Sequence, residues 1–346
     1  MKIYTYILIA LIGILTAQCS KEDIEDPNQD QPVVDNYNSY WYYSYEAALQ
    51  INAQTLNMEA EEFSPYTVAH LGDTLFVANT GNAGNSLLLF SQKENKLLKT
   101  LKSWDFNGKE LEFGSQIEAI VPAGERLYVA ERQSRIHVFS LPDLVYITCI
   151  GNGSWRGPVF QAQALAVKDG LIFARDKNGK VSIYKESEVT PENYQKTDRY
   201  RQVAGNGTAN NAFAPHHMQV VAEGKILLTD YEGKRIRVLD PGLVNDDLTN
   251  NSSIDMDNLT LSLDFKPKTL AVSKERWYAT GDNDAINIYD CQLKEWNRKL
   301  KSVKGYTFSQ PARIYAQNDS VLWVSDIHNI KRTLVKVVIH KGEIRE

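Results

Sequence analysis

The 346-residue sequence predicts an all-β fold, a six-bladed β-propeller built from four-stranded antiparallel blades, and three observations carry that expectation. First, a phenylalanine-led phrase recurs six times: Phe63-Ser64-Pro65, Phe113-Gly114-Ser115, Phe160-Gln161-Ala162, Phe213-Ala214-Pro215, Phe265-Lys266-Pro267 and Phe308-Ser309-Gln310-Pro311, at intervals of 50, 47, 53, 52 and 43 residues. Second, each phrase leads into short apolar runs with period-2 alternation, bounded by Gly, Asn and Asp turns, the signature of strands. Third, these runs lack the 3.6-residue stripe that a helical solenoid needs. Four short strands in about 50 residues is the size of one propeller blade.

The strands can be placed in order. The second strands read Leu75–Asn79, Leu127–Glu131, Ile172–Asp176, Ile226–Asp230, Trp277–Gly281 and Leu322–Asp326. Alternating third strands follow, as in Arg135–Phe139, Lys180–Tyr184 and Arg235–Leu239. After Phe308 only 38 residues remain, enough for three strands. The segment Tyr45–Met58 has no blade of its own and is expected to supply the missing outermost strand, closing the ring and removing two exposed edges. The cluster Tyr40-Trp41-Tyr42-Tyr43 is expected to pack on the side of the ring. A length that would ordinarily suggest two domains at about 100–200 residues each therefore reads as one propeller over residues 39–346.

The start of the chain reads differently. Lys2 precedes an apolar run from Ile3 to Ala17, shorter than the ~20 residues of a spanning helix and patterned like a secretory signal. Leu15-Thr16-Ala17-Gln18-Cys19 resembles a bacterial lipobox, which implies a signal peptide over residues 1–18 and lipidation of Cys19; cleavage after Ala17 is the alternative. Residues 19–38 hold six acids and one base and have too few apolar groups to bury, so a disordered acidic tether is expected. Lys21-Glu22-Asp23 looks like the signal that sends Bacteroidota lipoproteins to the cell surface. The resemblance implies an outer-membrane, lipid-anchored, surface-exposed protein, with a periplasm-facing or secreted one as alternatives. Of the net charge of −5, the tether holds −5 and the leader +1, leaving −1 for the propeller. A near-neutral body argues against nucleic acid as a partner; a monomer is expected. Cys149 and Cys291 sit in apolar strands without metal-ligand spacing and read as buried thiols.

The phrase "apolar-apolar-Ala-Asp, polar turn, basic-Ile-x-Val" resembles the NHL repeat, and Gly151-Asn152-Gly153 and Gly205-Asn206-Gly207 add to the likeness. Asp176, Asp230 and Asp326 match its second-strand acid, whereas Gly281 departs from it. In such a ring, loops from six blades converge on one channel face, where ligand-binding groups gather. Counting from each phenylalanine places Tyr66, Gln116, Gln163, His216, Lys268 and Arg313 there, with Asp230 and Asp326 at the adjoining turns. Arg132, Arg175, Lys268 and Arg313 would suit a polar or anionic ligand. NHL-type lyases gather histidines from several blades around zinc; here only His216 and His217 fall in register, and adjacent residues on a strand point apart, so no metal and no cofactor is expected. Each strand-end Asp also has a structural reading, accepting backbone N–H groups in its turn. No catalytic residue is assigned. The expected role is binding a ligand or partner, such as a glycan or peptide, on the channel face, with a lyase or hydrolase using that face as the alternative. Asp73-Thr74 and Asp319-Ser320 match a Bacteroidota O-glycosylation pattern, making Thr74 and Ser320 candidate acceptors on the opposite face.

Overall fold

A computed structural model describes residues 39–345 apart from 81–83, 155–156, 160, 177–179, 204–214, 221–223, 248–260, 292 and 329–330. Residues 1–38, with the predicted leader, Cys19 and the acidic segment, lie outside the described residues, as do Phe160 and Phe213. Six four-stranded antiparallel sheets form the blades. Their first strands are Pro65–Leu71, Ile117–Ala123, Ala164–Lys168, Pro215–Val220, Pro267–Val272 and Pro311–Asn318, and these touch one another in turn around the ring.

Alternation explains the core. Side chains on a strand point to opposite faces, and a blade has a neighbour on each face, so both faces must be apolar. In the second strand of blade two, Leu127 and Val129 join a cluster with blade one, while Tyr128 and Ala130 join one with blade three. Six such clusters fill the six gaps between blades. The last, with Leu75 and Val77 against Trp323 and Leu334, joins blade six back to blade one. Burying each large apolar side chain stabilises the fold by roughly 1.5–3 kcal/mol. Cys149 and Cys291 are buried free thiols.

The ring is closed by the N-terminal strand. Ser39–Ile51 pairs antiparallel with the last strand, Lys331–Arg345, from Ser39↔Arg345 to Ile51↔Leu334, with a bulge between Ala47 and Leu49. It starts earlier than the sequence suggested and stops at Ile51, so the tyrosine cluster is part of the strand itself. Tyr43 lies over the Arg276 guanidinium of blade five, 3.1 Å from its ring centroid, and donates to Glu275 at 2.6 Å. Tyr42 is half exposed. The second strand of blade six begins at Val321, which pairs with Val338. Residues beyond Val338 therefore run past the blade as a two-stranded ribbon with the start of the closing strand.

Two hairpins escaped the sequence reading. One (Ser103–Phe106 with Lys109–Glu112) sets Trp104 against Phe113, Phe139 and Tyr146, with ring centroids 4.8–5.1 Å apart. The other (Ser302–Val303 with Tyr306–Thr307) meets the free edge of the closing strand, where Ala47 N–H donates to Lys304 and Lys304 N–H donates to Tyr45. It shields an edge that would otherwise invite another strand.

Candidate functional site

The first strands are irregular at one recurring place. In blades one, two, four, five and six the register with the second strand slips by one residue just after the strand begins. Pro65, Ile117, Pro215, Pro267 and Pro311 pair with the last residue of the second strand; in blades two, five and six the next residue is the extra one, and in blades one and four the next two residues face a single partner. A β-bulge leaves one residue unpaired and re-aims it. Proline, which cannot donate to a ladder, is tolerated at such places, which accounts for four of the five. The bulge residues are Tyr66, Glu118, His216, Lys268 and Ala312. In blade three Gln163 holds the equivalent place, its N–H donating to Arg175 O.

This register corrects the sequence count in blade two. The approach after Phe113 is two residues longer than after Phe63, so Glu118 stands where Gln116 was expected. Gln116 instead accepts the Arg132 backbone N–H. The signal available in the sequence was the missing proline: without it, counting from the phenylalanine loses its stop.

The side chains converge on Arg313 of blade six. Its guanidinium lies 4.5 Å from the Tyr66 ring centroid, donates to Tyr66 Oη at 2.5 Å and stands 3.6 Å from a Glu118 oxygen. Glu118 is buried and also takes Arg132 Nε at 2.7 Å and Nη2 at 2.6 Å. Arg175, on the second strand of blade three, donates to Gln163. Burial lowers the Arg175 pKa to about 10, and the charge of Arg313 pushes the same way, against the attraction of Asp176 and Glu118. His217, next to the bulge in blade four, is held near pKa 3 by burial and by the Arg313 charge, so its imidazole is neutral. Lys268 forms no side-chain hydrogen bond or ion pair among the described residues. The side chain of His216 lies outside the described residues; its strand places it at the ring.

The two aspartates are set back from this group. Asp230 is fully buried and spends its carboxylate on Gly233 N–H, Arg235 and Arg237. Asp326 accepts from the N–H groups of Ser309 and Gln310 and from Tyr306 Oη. Blades one, two and six share an arrangement: the side chain at the end of the second strand holds the backbone N–H that follows the anchor phenylalanine. Asn79 holds Ser64, Glu131 holds Gly114 and Asp326 holds Ser309. Blade five differs because a Cβ on Gly281 would lie 2.6 Å from the Phe265 ring and 2.8 Å from Lys266 O. Asp282, one residue later, takes the Lys266 N–H instead.

Hydroxyls on the second strands tie blades together here. Thr229 Oγ1 donates to Lys268 O of the next blade, and Thr280 Oγ1 to Ala312 O. Ser325 occupies the matching place in blade six, and its buried Oγ has no partner among the described residues. Among the described residues no group of three His, Cys, Asp or Glu side chains could hold a metal ion. The two candidate acceptors lie at the other ends of the strands: Thr74 begins the second strand of blade one, beside an Asp73 that accepts from Ser91 and Lys93, and Ser320 is exposed in a turn.

No protein-family model matches the chain, and no curated protein matches it. Solved structures do. A protein of unknown function from Bacteroides thetaiotaomicron is matched over 88% of this chain and 77% of its own, at 12% identity and TM-score 0.55. The U3-55K structure is matched over 81% and 78%, at 11% identity and TM-score 0.54. The β-propeller domain of Myceliophteria thermophila Cps50 (Swd1) is matched over 85% and 99%, at 12% identity and TM-score 0.51. The likeness is one of fold.

Proposed function

We propose that this protein is a lipid-anchored binding protein, held at the outer surface of an outer membrane through Cys19, whose NHL-like propeller captures a glycan or peptide on its channel face. The observation that carries the binding role is the repeated bulge. Five blades give up a regular ladder at the same place, and the residues there are polar or aromatic in four of them. Such irregularity recurs at sites where a side chain must be re-aimed. The converging groups are donors and cations held in place by neighbours, an arrangement suited to recognition. The apolar leader, the cysteine and the acidic run support the address. Within this reading, Thr74 and Ser320 carry O-linked glycans on the face away from the site.

A glycan and peptide array probed with the full chain tests the role. Capture of a defined ligand set is expected, lost on Lys268→Ala or Arg313→Ala while thermal unfolding stays near that of the parent. Capture untouched by both substitutions, or none at all, refutes the channel face as the binding surface.

A further inference from the structure

Three buried polar atoms around the ring lack partners among the described residues: Arg175 Nε, His217 Nδ1 and Ser325 Oγ. Unsatisfied buried donors are costly and call for an explanation, and here the explanation has a direction. All three side chains have Arg313 as a neighbour: Ser325 is its cross-strand partner, and Arg175 and His217 lie within its electrostatic reach. They come from blades three, four and six.

Charge narrows the missing group. Arg313 and Arg175 repel each other, and Glu118 is the carboxylate already lying against Arg313, with Arg132 as its second partner. Asp176 attracts Arg175 but takes the Lys180 N–H within its own turn. His217 is neutral and in one tautomer offers Nδ1–H as a donor; the Ser325 hydroxyl turns freely to donate. Counted together, the guanidinium groups of Arg132, Arg175 and Arg313 against the carboxylates of Glu118 and Asp176 leave one formal positive charge, with neutral donors beside it. That set fits a planar monoanion: Arg presents a fork that suits carboxylate oxygens, and a dianion would overfill the charge.

We infer that the channel holds a carboxylate subsite, with Arg175, Ser325 and His217 as donors and Arg313 as the flanking cation, so that the ligand captured on this face carries a free carboxylate, such as an acidic sugar or a peptide C-terminus. The inference rests on the binding role proposed above and specifies its ligand class. Lys268, whose side chain has no partner among the described residues, lies at the equivalent place in blade five, where it can meet a second polar group of the same ligand.

Isothermal titration of the full chain in detergent micelles, with acetate and separately with inorganic phosphate in low-chloride buffer, tests it. Acetate should bind at one site. Arg175→Gln should weaken that binding roughly 10-fold or more, the value of a charge-assisted hydrogen bond. Ser325→Ala, which leaves charge and volume nearly unchanged, should weaken it several-fold and guards against a misfolded arginine variant. Phosphate binding tighter than acetate overturns the carboxylate assignment, and acetate affinity unchanged in Ser325→Ala and in a folded Arg175→Gln overturns the site. Absence of saturable acetate heat means a channel filled by water alone and also overturns the subsite. If array capture persists in that case and still depends on Lys268 or Arg313, the binding role stands without it; if capture is absent too, both fail.

Discussion

His217 is the residue whose chemistry makes the sharpest demand. Folded, it stays neutral down to about pH 3, because burial and Arg313 disfavour its proton. Unfolded, it takes a proton near its ordinary value of about 6.5. Across that window the unfolded chain binds more protons, so the stability of the fold falls as pH falls, by at most about 1.4 kcal/mol per pH unit from this residue. The urea midpoint should therefore drop between about pH 7 and about pH 4.5, and His217→Gln should narrow that drop. Equal drops in parent and variant would show that the imidazole is not sealed off. Asp326 makes the opposite kind of demand. It satisfies two backbone N–H groups and a tyrosine hydroxyl, so Asp326→Ala strands buried donors and should cost roughly 3 kcal/mol. Because Asp326 follows Ser325 directly, acetate affinity in that variant is read beside its thermal transition, and any fall should track the loss of stability. A large loss of affinity with little loss of stability would assign the carboxylate to the site rather than to the frame.

Strands and hairpins differ in how plainly the sequence declares them. Leu127–Glu131 or Ile226–Asp230 must be apolar on both faces because a blade is buried on both, and that demand shows directly as composition. The anchor phenylalanines are equally legible: Phe63, Phe113, Phe265 and Phe308 each plug a gap between blades and are followed by an N–H that a side chain at or just past the strand end clamps. The bulge was only half legible. Where proline marked it, counting from the phenylalanine found Tyr66 and Lys268; where Ile117 replaced proline, the count stopped at Gln116 and missed Glu118. Arg175 was legible as a cation for a polar or anionic ligand, whereas Ser325 and the partnerless atom of His217 left no trace, since a donor's lack of a partner is a property of three dimensions. The hairpin at Ser103–Glu112 was missed because both strands are only four residues long, Lys109–Glu112 is mostly charged, and the aromatic rings of Ser103–Phe106 pack on blade two. The closing strand carries its own prediction. Removing residues 39–51 strips the edge of Lys331–Arg345 and exposes the partners of Tyr45 and Ile51, each worth roughly 1.5–3 kcal/mol. The shortened chain should lose its cooperative thermal transition and elute as aggregate on size exclusion. A monodisperse, cooperatively melting product would mean that five complete blades and a three-stranded sixth suffice.

At the scale of the whole molecule, the ring and its address are separable. The propeller is nearly neutral, and the charge of the chain sits in residues 19–38. Cys19→Ala should move the protein from the membrane fraction to the soluble fraction, with the fold and acetate affinity unchanged. An antibody to the propeller should label intact cells expressing the parent; labelling only after permeabilisation would place it on the inner side of the membrane. The ribbon that extends past Val338 gives these results a geometry. The first strand of each blade starts at the channel-face site, the third strand leaves from that same end, and Lys331–Arg345 therefore finishes beyond the opposite end. Ser39, paired with Arg345, lies at that far tip. The chain from Cys19 thus joins the body at the pole remote from Arg175, Lys268 and Arg313. Any attachment made through that end would leave the opposite end, with Arg175, Lys268 and Arg313, facing away from the point of attachment.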